Sequence, residues 1–426
     1  MTSRQVAVIG AGAKGVAIAA KAAALNQHYG SNIEVTLIEK SDVGGNWSGH
    51  HGYTDGEQQI CTPAERDVGF PYDHSFNEET SAHMQSEYSW MAYSVKKTDA
   101  IYSDWINRGS VRPSHREFSN YLKYVAKESG AKIERDCEVT GLSRTKNGKR
   151  WEVSVQQSPT STSKLPTEFD GIVFTGPGPA RDTFGGFRDT ALFNADSFWS
   201  KRNTLRGLMR NRKNPIVIVG GGGAAAAIAA WLVSNGFHDD EIVFLAQQPT
   251  FYMRTGGFFE NRVFDDEELW DKLGKREKDD FVSRITRSVV WESVADKLAE
   301  AKNITLSPGR ATSITSHTLH GENYLEVKFN PASGGPPNSI EASIVIDAAG
   351  FDTWWFKKFL PSPWATWDDS KLADLAAKMD YNLRLPLRGY GNLHAPTVSQ
   401  SVGPGFTSLM VLGRMADRIL ATYVAQ

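Results

Sequence analysis

Gln5-Val6-Ala7-Val8-Ile9-Gly10-Ala11-Gly12-Ala13-Lys14-Gly15 is the stretch that decides the fold. A short apolar run that ends in glycines reads as a buried parallel strand entering a tight turn. The next residues, Val16 to Leu25, are alanine-rich and favour helix. Glu34-Val35-Thr36-Leu37-Ile38 reads as a second strand, closed by Glu39 and Lys40. Together these segments make a βαβ unit. In such a unit Gly10 permits the turn, Gly12 lets the backbone approach a pyrophosphate, and Gly15 lets helix and strand pack closely. The helix N-terminus offers free N–H groups to phosphate, and Glu39 stands where a carboxylate takes ribose hydroxyls. The pattern predicts a dinucleotide site.

A second unit opens at Ile216-Val217-Ile218-Val219. Its turn, Gly220-Gly221-Gly222-Gly223-Ala224-Ala225, fits the alanine variant of the fingerprint through Gly220, Gly222 and Ala225. The expected second strand, Glu241 to Ala246, runs into Gln247 and Gln248 rather than an acid. No carboxylate there repels a 2′-phosphate, and Arg254 follows closely, so NADPH is the expected ligand. Behind the first unit, Gly44-Gly45-Asn46-Trp47 would let the backbone lie close to a flavin, with Trp47 as its cover. Lys40, Gly45, Asn46, Gly350 and Gly405 are further candidate cofactor contacts. The fold class expected is α/β, with two Rossmann-like domains, the NADPH domain inserted into the FAD domain, and a small substrate region. The boundaries expected are 1–199 for the first FAD part, 200–340 for the NADPH domain, and 341–426 for the return and its C-terminal helix.

Between these units, residues 41–80 have little periodicity, the mark of a functional or poorly ordered loop. Ser114-His115-Arg116-Glu117 is a capping box that opens a helix. The Ser-, Thr- and Pro-rich stretch 156–167 reads as a solvated hairpin loop, and 265–305 as charged helix. Ile344 to Gly350 reads as a late buried strand and Ser408 to Tyr423 as helix.

Composition narrows the chemistry. The 426 residues carry a formal charge of −2 without a Lys/Arg-rich run, which argues against a nucleic-acid surface. No apolar run is long enough to span a bilayer, and a cytoplasmic location is expected. Cys61 and Cys137 form no CxxC pair and no metal spacing with histidine, so they read as buried free thiols. Two-dinucleotide flavoproteins that reduce disulfides need a redox cysteine pair. Monooxygenases, simple dehydrogenases and non-turnover flavoproteins remain.

Several segments in one order add a resemblance that runs nearly end to end. GAGAKG at 10–15, GYTDG at 52–56, ERDVGFPY at 65–72, GFFEN at 257–261, and GPGF at 403–406 before LGRMADRIL at 412–420 are similar to the N-hydroxylating flavin monooxygenases of lysine and ornithine, above all the mycobactin-type lysine N6-hydroxylases. The resemblance implies FAD and NADPH, a flavin hydroperoxide that oxygenates a neutral side-chain amine with O2, and a role in siderophore or other secondary-metabolite biosynthesis. It also implies a homo-oligomer, since relatives are often dimers or tetramers.

Residue by residue, the resemblance makes Arg66 the counterpart of a lysine that holds the substrate carboxylate, and Asn261 the counterpart of an asparagine on the same end of the substrate. His115 stands where relatives place a basic residue near flavin and nicotinamide. Thr286, Met410 and Cys61 replace a second substrate asparagine, a serine and a flavin-side glutamine of ornithine hydroxylases, which leaves lysine, ornithine or another amine open. A carbonyl or sulfur monooxygenase would be expected to carry FxGxxxHxxxW between the units. Phe184-Gly185-Gly186-Phe187 and Phe193 to Trp199 lack its histidine.

Overall fold

Val6, Ala7 and Val8 have no solvent exposure, at the centre of a five-stranded parallel sheet. The computed structural model describes residues 3–50, 52–96, 101–146, 148–157, 165–166, 168–209, 213–254, 256–286, 289–319 and 322–424. Strand order in this sheet is Asn392–His394, Gly171–Phe174, Arg4–Ile9, Ile33–Ile38, Lys132–Glu134. Val6 is in register with Val35 on one side and Gly171 on the other. The chain therefore leaves the first strand in opposite directions, and the carboxyl ends at such a switch point form a ligand crevice. The helix that follows the glycine turn spans Ala13–His28. Its alanines keep it narrow, so it packs against the C-terminal helix Leu412–Leu420.

The second fingerprint sits on a seven-stranded sheet ordered Asn338–Ala342, Glu322–Pro331, Ile304–Leu319, Ile242–Ala246, Ile216–Val219, Ile344–Asp347, Leu192–Asn194. The last five are mutually parallel; the first two are antiparallel extensions. This corrects the expected boundaries. Ile344–Asp347, placed by sequence in the returning FAD part, lies beside Ile216–Val219, and Leu192–Asn194 also belongs to the inserted sheet. Pairing between distant segments decided both, and no local pattern reports it.

Where the chain enters and leaves the inserted unit, its two crossings run side by side. Arg181 N donates to Gly350 O and Asp352 N to Pro179 O, each at 2.9 Å. Ala180 and Phe351 form an antiparallel bridge between them.

Residues 41–80 are largely irregular yet bury Ile60, Ala64, Arg66, Asp67 and Val68. Asp67 organises the turn: its carboxylate accepts from Gly69 N (3.0 Å), Trp90 N (2.8 Å) and Tyr72 Oη (2.7 Å). Burial pushes this carboxyl up to about 6 despite those donors. Ser114 caps the helix His115–Glu128, its Oγ accepting from Glu117 N at 3.2 Å, a cap worth about 1 kcal/mol. The helix Phe258–Asp265 leads into the charged stretch, which forms the helices Glu267–Lys272 and Lys275–Thr286, the short strand Val289–Trp291 and the helix Glu292–Ala299. The C-terminal helix is shorter than the expected Ser408 to Tyr423, because residues 408–411 are turn and regular helix spans Leu412–Leu420. Residues 158–164 and 167 of the expected 156–167 loop lie outside the described residues. Among the described residues no helix is long and apolar enough to cross a membrane.

Candidate active site

The first glycine turn is shaped as a phosphate cradle. Gly10 has φ +107°, and a Cβ there would meet Thr175 Oγ1 at 2.6 Å. A Cβ on Gly15 would collide with the Gly10 carbonyl. On Gly12 a Cβ would meet nothing within 4 Å, so the space in front of the helix N-terminus is open. Glu39 is held beside it, with Oε2 accepting from Ala11 N at 2.8 Å and Oε1 from Ser41 N at 2.9 Å. Lys40, Ser41, Asn46, Tyr53, Asp136 and Asp196 line a 730 Å³ cavity that continues from this strand end. An extended dinucleotide fits this arrangement: pyrophosphate at the open turn, ribose at Glu39, nucleoside in the cavity.

The second turn repeats the plan. Gly220 has φ +116° and its Cβ side is closed by the Ala348 carbonyl, whereas Gly222 is open to 4 Å. Gly222 caps the helix Gly223–Ser234, and Ala225 is fully buried behind it. Gly350 (φ +103°) is also open, at the mouth of the crossing ribbon. Gly405 is different: its Cβ direction is filled by the Phe264 carbonyl oxygen at 2.5 Å. Its small size serves the contact between the 403–407 turn and the helix Phe258–Asp265.

Gly45, Asn46 and Trp47 form a 3-10 turn after left-handed Gly44. Trp47 stands edge-on to His115, ring centroids 4.9 Å apart. His115 Nδ1 is 2.6 Å from Thr54 Oγ1. Burial pulls the imidazole down to about 4, only partly opposed by Asp55. Near neutral pH His115 is therefore an uncharged hydrogen-bonding group, not a cation. Tyr53 Oη donates to Gly178 O at 2.6 Å and its ring meets Phe351 at 4.5 Å, so the loop after the first unit is fastened to the crossing ribbon.

Arg66, Arg254 and Met410 come together. Arg66 Nη1 donates to Met410 O at 2.9 Å, its Nη2 lies 3.2 Å from Asp265 Oδ2, and its guanidinium covers the Phe70 ring at 4.5 Å. The resemblance implied a cation free to take a substrate carboxylate; Asp265 already neutralises it here. Arg254 also departs from its expectation. It does not stand open beside Gln247 and Gln248 to receive a 2′-phosphate. It is 2.6 Å from Glu260 Oε1, 3.9 Å from Met410 Sδ, and stacked over Phe264 and Trp291. It ends the strand Tyr252–Arg254, which pairs in parallel with Val289–Trp291. Cys61 belongs to this neighbourhood. Burial raises its thiol pKa against the nearby Arg254, which leaves a neutral group.

Asn261 follows Glu260 directly and lies one turn before Asp265, with Nδ2 donating to Gly256 O at 2.6 Å. Thr286 is not brought in: it is exposed at a helix end and its hydroxyl bonds Val282 O at 2.7 Å. The residues missed by the sequence reading are Glu260, Asp265 and Arg414. Arg414 binds Asp73 (2.5 Å) and the Asp265 carbonyl, and so ties the substrate-side helix to the C-terminal helix. Asp265 and Arg414 meet complementary charges in distant segments, which carry no local signature that could have marked them.

Two open phosphate cradles, each on the parallel strands of a separate sheet, with no cysteine pair, define a two-dinucleotide flavoprotein. The family model for L-lysine 6-monooxygenase/L-ornithine 5-monooxygenase matches residues 79–353. The L-lysine N6-monooxygenase MbtG of Mycobacterium tuberculosis is 31% identical over 429 residues, covering 97% of this chain and 94% of that protein. Among solved structures, lysine monooxygenase NbtG from Nocardia farcinica superposes with a TM-score of 0.76 at 25% identity, over 98% of this chain and 99% of that one. Ornithine hydroxylase PvdA from Pseudomonas aeruginosa does so at 0.74 and 17% identity, over 99% of each. The chain belongs to the L-lysine 6-monooxygenase/L-ornithine 5-monooxygenase family. It is an FAD- and NADPH-dependent N-monooxygenase acting on a small-molecule amine. When bound, FAD and NADPH would supply the electrons and the oxygen chemistry, and the open turns at Gly12 and Gly222 are the places shaped to hold them.

Proposed function

We propose that this chain hydroxylates the side-chain amine of L-lysine, using O2, in the making of a siderophore or similar metabolite. The observation that carries this reading is the 31% identity to a lysine N6-monooxygenase across 97% of the chain. The cluster of Arg66, Asn261, Asp265 and Met410 is the proposed seat of the amino-acid end, and the neutral pair His115 and Thr54 with Trp47 the flavin side. A cytoplasmic homo-oligomer is the setting proposed for it. The test is hydroxylamine formed per NADPH oxidised by the FAD-loaded protein with lysine, ornithine and cadaverine. Product from lysine alone supports the reading. NADPH consumed with only hydrogen peroxide formed from lysine removes it.

A second reading rests on one contact. Asp265 occupies Arg66 at 3.2 Å, which would suit an amine whose far end carries no carboxylate, such as a diamine. Product from cadaverine in preference to lysine would decide for it.

A further inference from the structure

Two lysines on one face of the first helix are treated differently by the fold. Lys14 and Lys21 are about two helical turns apart and both are buried, 9% and 2% exposed. Lys21 Nζ lies 2.7 Å from Asp417 Oδ1 on the C-terminal helix, itself buried. Lys14 Nζ donates to the Thr407 carbonyl oxygen at 2.8 Å, and no carboxylate reaches it among the described residues.

The charged groups on the surrounding elements are committed elsewhere. Glu39 holds Ala11 N and Ser41. On the C-terminal helix, Asp417 answers Lys21, Arg414 binds Asp73, and Arg418 binds Glu267. On the two other helices packed against the first, Glu117 takes the Tyr93 hydroxyl and Glu87 pairs with Lys96. Burial with no charged neighbour pulls the Lys14 amine down to about 7. A buried ammonium is tolerated only when it is paired, so the arrangement lacks an anion.

The place of Lys14 says which anion. It is the second residue of the helix whose N-terminus, in front of open Gly12, is shaped to receive the FAD pyrophosphate. We propose that Lys14 is an FAD ligand: its ammonium is the counter-charge to the cofactor's pyrophosphate, held at that helix end by the Thr407 carbonyl, and FAD binding draws a proton from solvent onto its amine. The proposal does not depend on which amine the enzyme hydroxylates.

The test titrates FAD into the full-length protein stripped of its flavin, following flavin fluorescence, with the natural chain, Lys14→Arg and Lys14→Met. Between about pH 7 and about pH 9 the natural chain should lose affinity as pH rises, approaching tenfold per pH unit, because a neutral amine must first be protonated. Lys14→Arg should keep the affinity and lose the pH dependence. Lys14→Met should lose the pH dependence and bind FAD about tenfold more weakly near pH 7. Calorimetry near pH 8 in buffers of different ionisation enthalpy should find close to one proton taken up per FAD in the natural chain and close to none in either variant. Lys14→Met matching the natural chain in slope and proton uptake overturns the proposal. If Lys14→Met does not fold, Lys14→Arg decides alone: a retained slope overturns the proposal and a lost slope supports it.

Discussion

Asp265 Oδ2 sits 3.2 Å from Arg66 Nη2, so the one cation expected to receive a substrate carboxylate is already paired with a carboxylate of the protein. The pair is largely shielded, with side chains 10% and 24% exposed, and the Met410 carbonyl takes a second guanidinium donor. Any amino acid that binds Arg66 must compete with Asp265. Asp265→Asn should therefore lower KM for lysine relative to cadaverine by up to about tenfold, equal to 1.4 kcal/mol. An unchanged KM ratio would show that Arg66 is a strut and not a substrate contact.

The two open glycines separate cofactor binding from folding. Gly12 (φ −78°) and Gly222 (φ −87°) have backbone angles that any residue adopts, and a side chain at either meets no protein atom within 4 Å. Gly12→Val should leave the melting temperature of the flavin-free protein nearly unchanged while weakening FAD binding by at least about tenfold. Gly222→Val should raise KM for NADPH and leave flavin content alone. Gly15→Ala should instead lower stability, since its Cβ would collide with the Gly10 carbonyl.

Arg254 gives a prediction opposite to its sequence reading. It is engaged by Glu260 at 2.6 Å and lies by Met410, so Arg254→Gln should raise KM for the amine and leave the preference for NADPH over NADH within about twofold. Steady-state kinetics with both nucleotides checks it. A collapse of the NADPH preference would return Arg254 to the 2′-phosphate.

Two buried histidines set a pH limit on stability. His394 is fully buried between Asn382 O (2.7 Å) and Tyr423 Oη (2.8 Å), and burial brings it, like His115, down to about 4. A folded value below the unfolded one means that the unfolded chain binds the proton first. The stability each neutral ring contributes is complete above about pH 6.5 and is lost as pH falls toward 4. For His394 that loss amounts to about 3 kcal/mol. Asp67, raised to about 6, acts in the opposite sense over the same interval. Comparison with a variant isolates the histidine: His394→Gln should flatten the fall in melting temperature between about pH 6.5 and about pH 4.5. Equal slopes would place His394's titration outside this interval.

The buried pair Lys21–Asp417 should behave as a unit. Asp417→Asn leaves Lys21 alone in a closed contact and should cost about 3–5 kcal/mol in denaturant unfolding. Replacing both by apolar residues of similar volume should recover most of that loss. A double variant as unstable as the single one would assign the cost to packing.

The glycine fingerprints were legible because their meaning is local: turn, close approach and helix start all lie within six residues, and Gly10, Gly12, Gly15, Gly220 and Gly222 stand in the backbone settings their spacing predicts. The cap at Ser114 was legible for the same reason. The sheet that would claim Ile344–Asp347 was not, since a buried four-residue strand fits either sheet and its partner lies more than a hundred residues away. The contacts of Arg254 with Glu260 and Met410 were not legible, because nearness in sequence to Gln247 says nothing of where the intervening strand turns. Asp265 was passed over at the edge of a charged stretch whose ordinary reading is a solvated helix face, and Glu260 beside the asparagine that the GFFEN segment brought forward.

The paired crossings at Arg181–Gly350 and Asp352–Pro179 have a mechanical consequence. A unit hung from a single linker can tumble in any direction. Two strands bonded side by side make a ribbon, which bends across its face far more easily than along its width. The inserted NADPH unit is thus joined through a ribbon rather than a single thread, and Tyr53, bonded to Gly178 and resting on Phe351, fastens the first unit's loop to that ribbon.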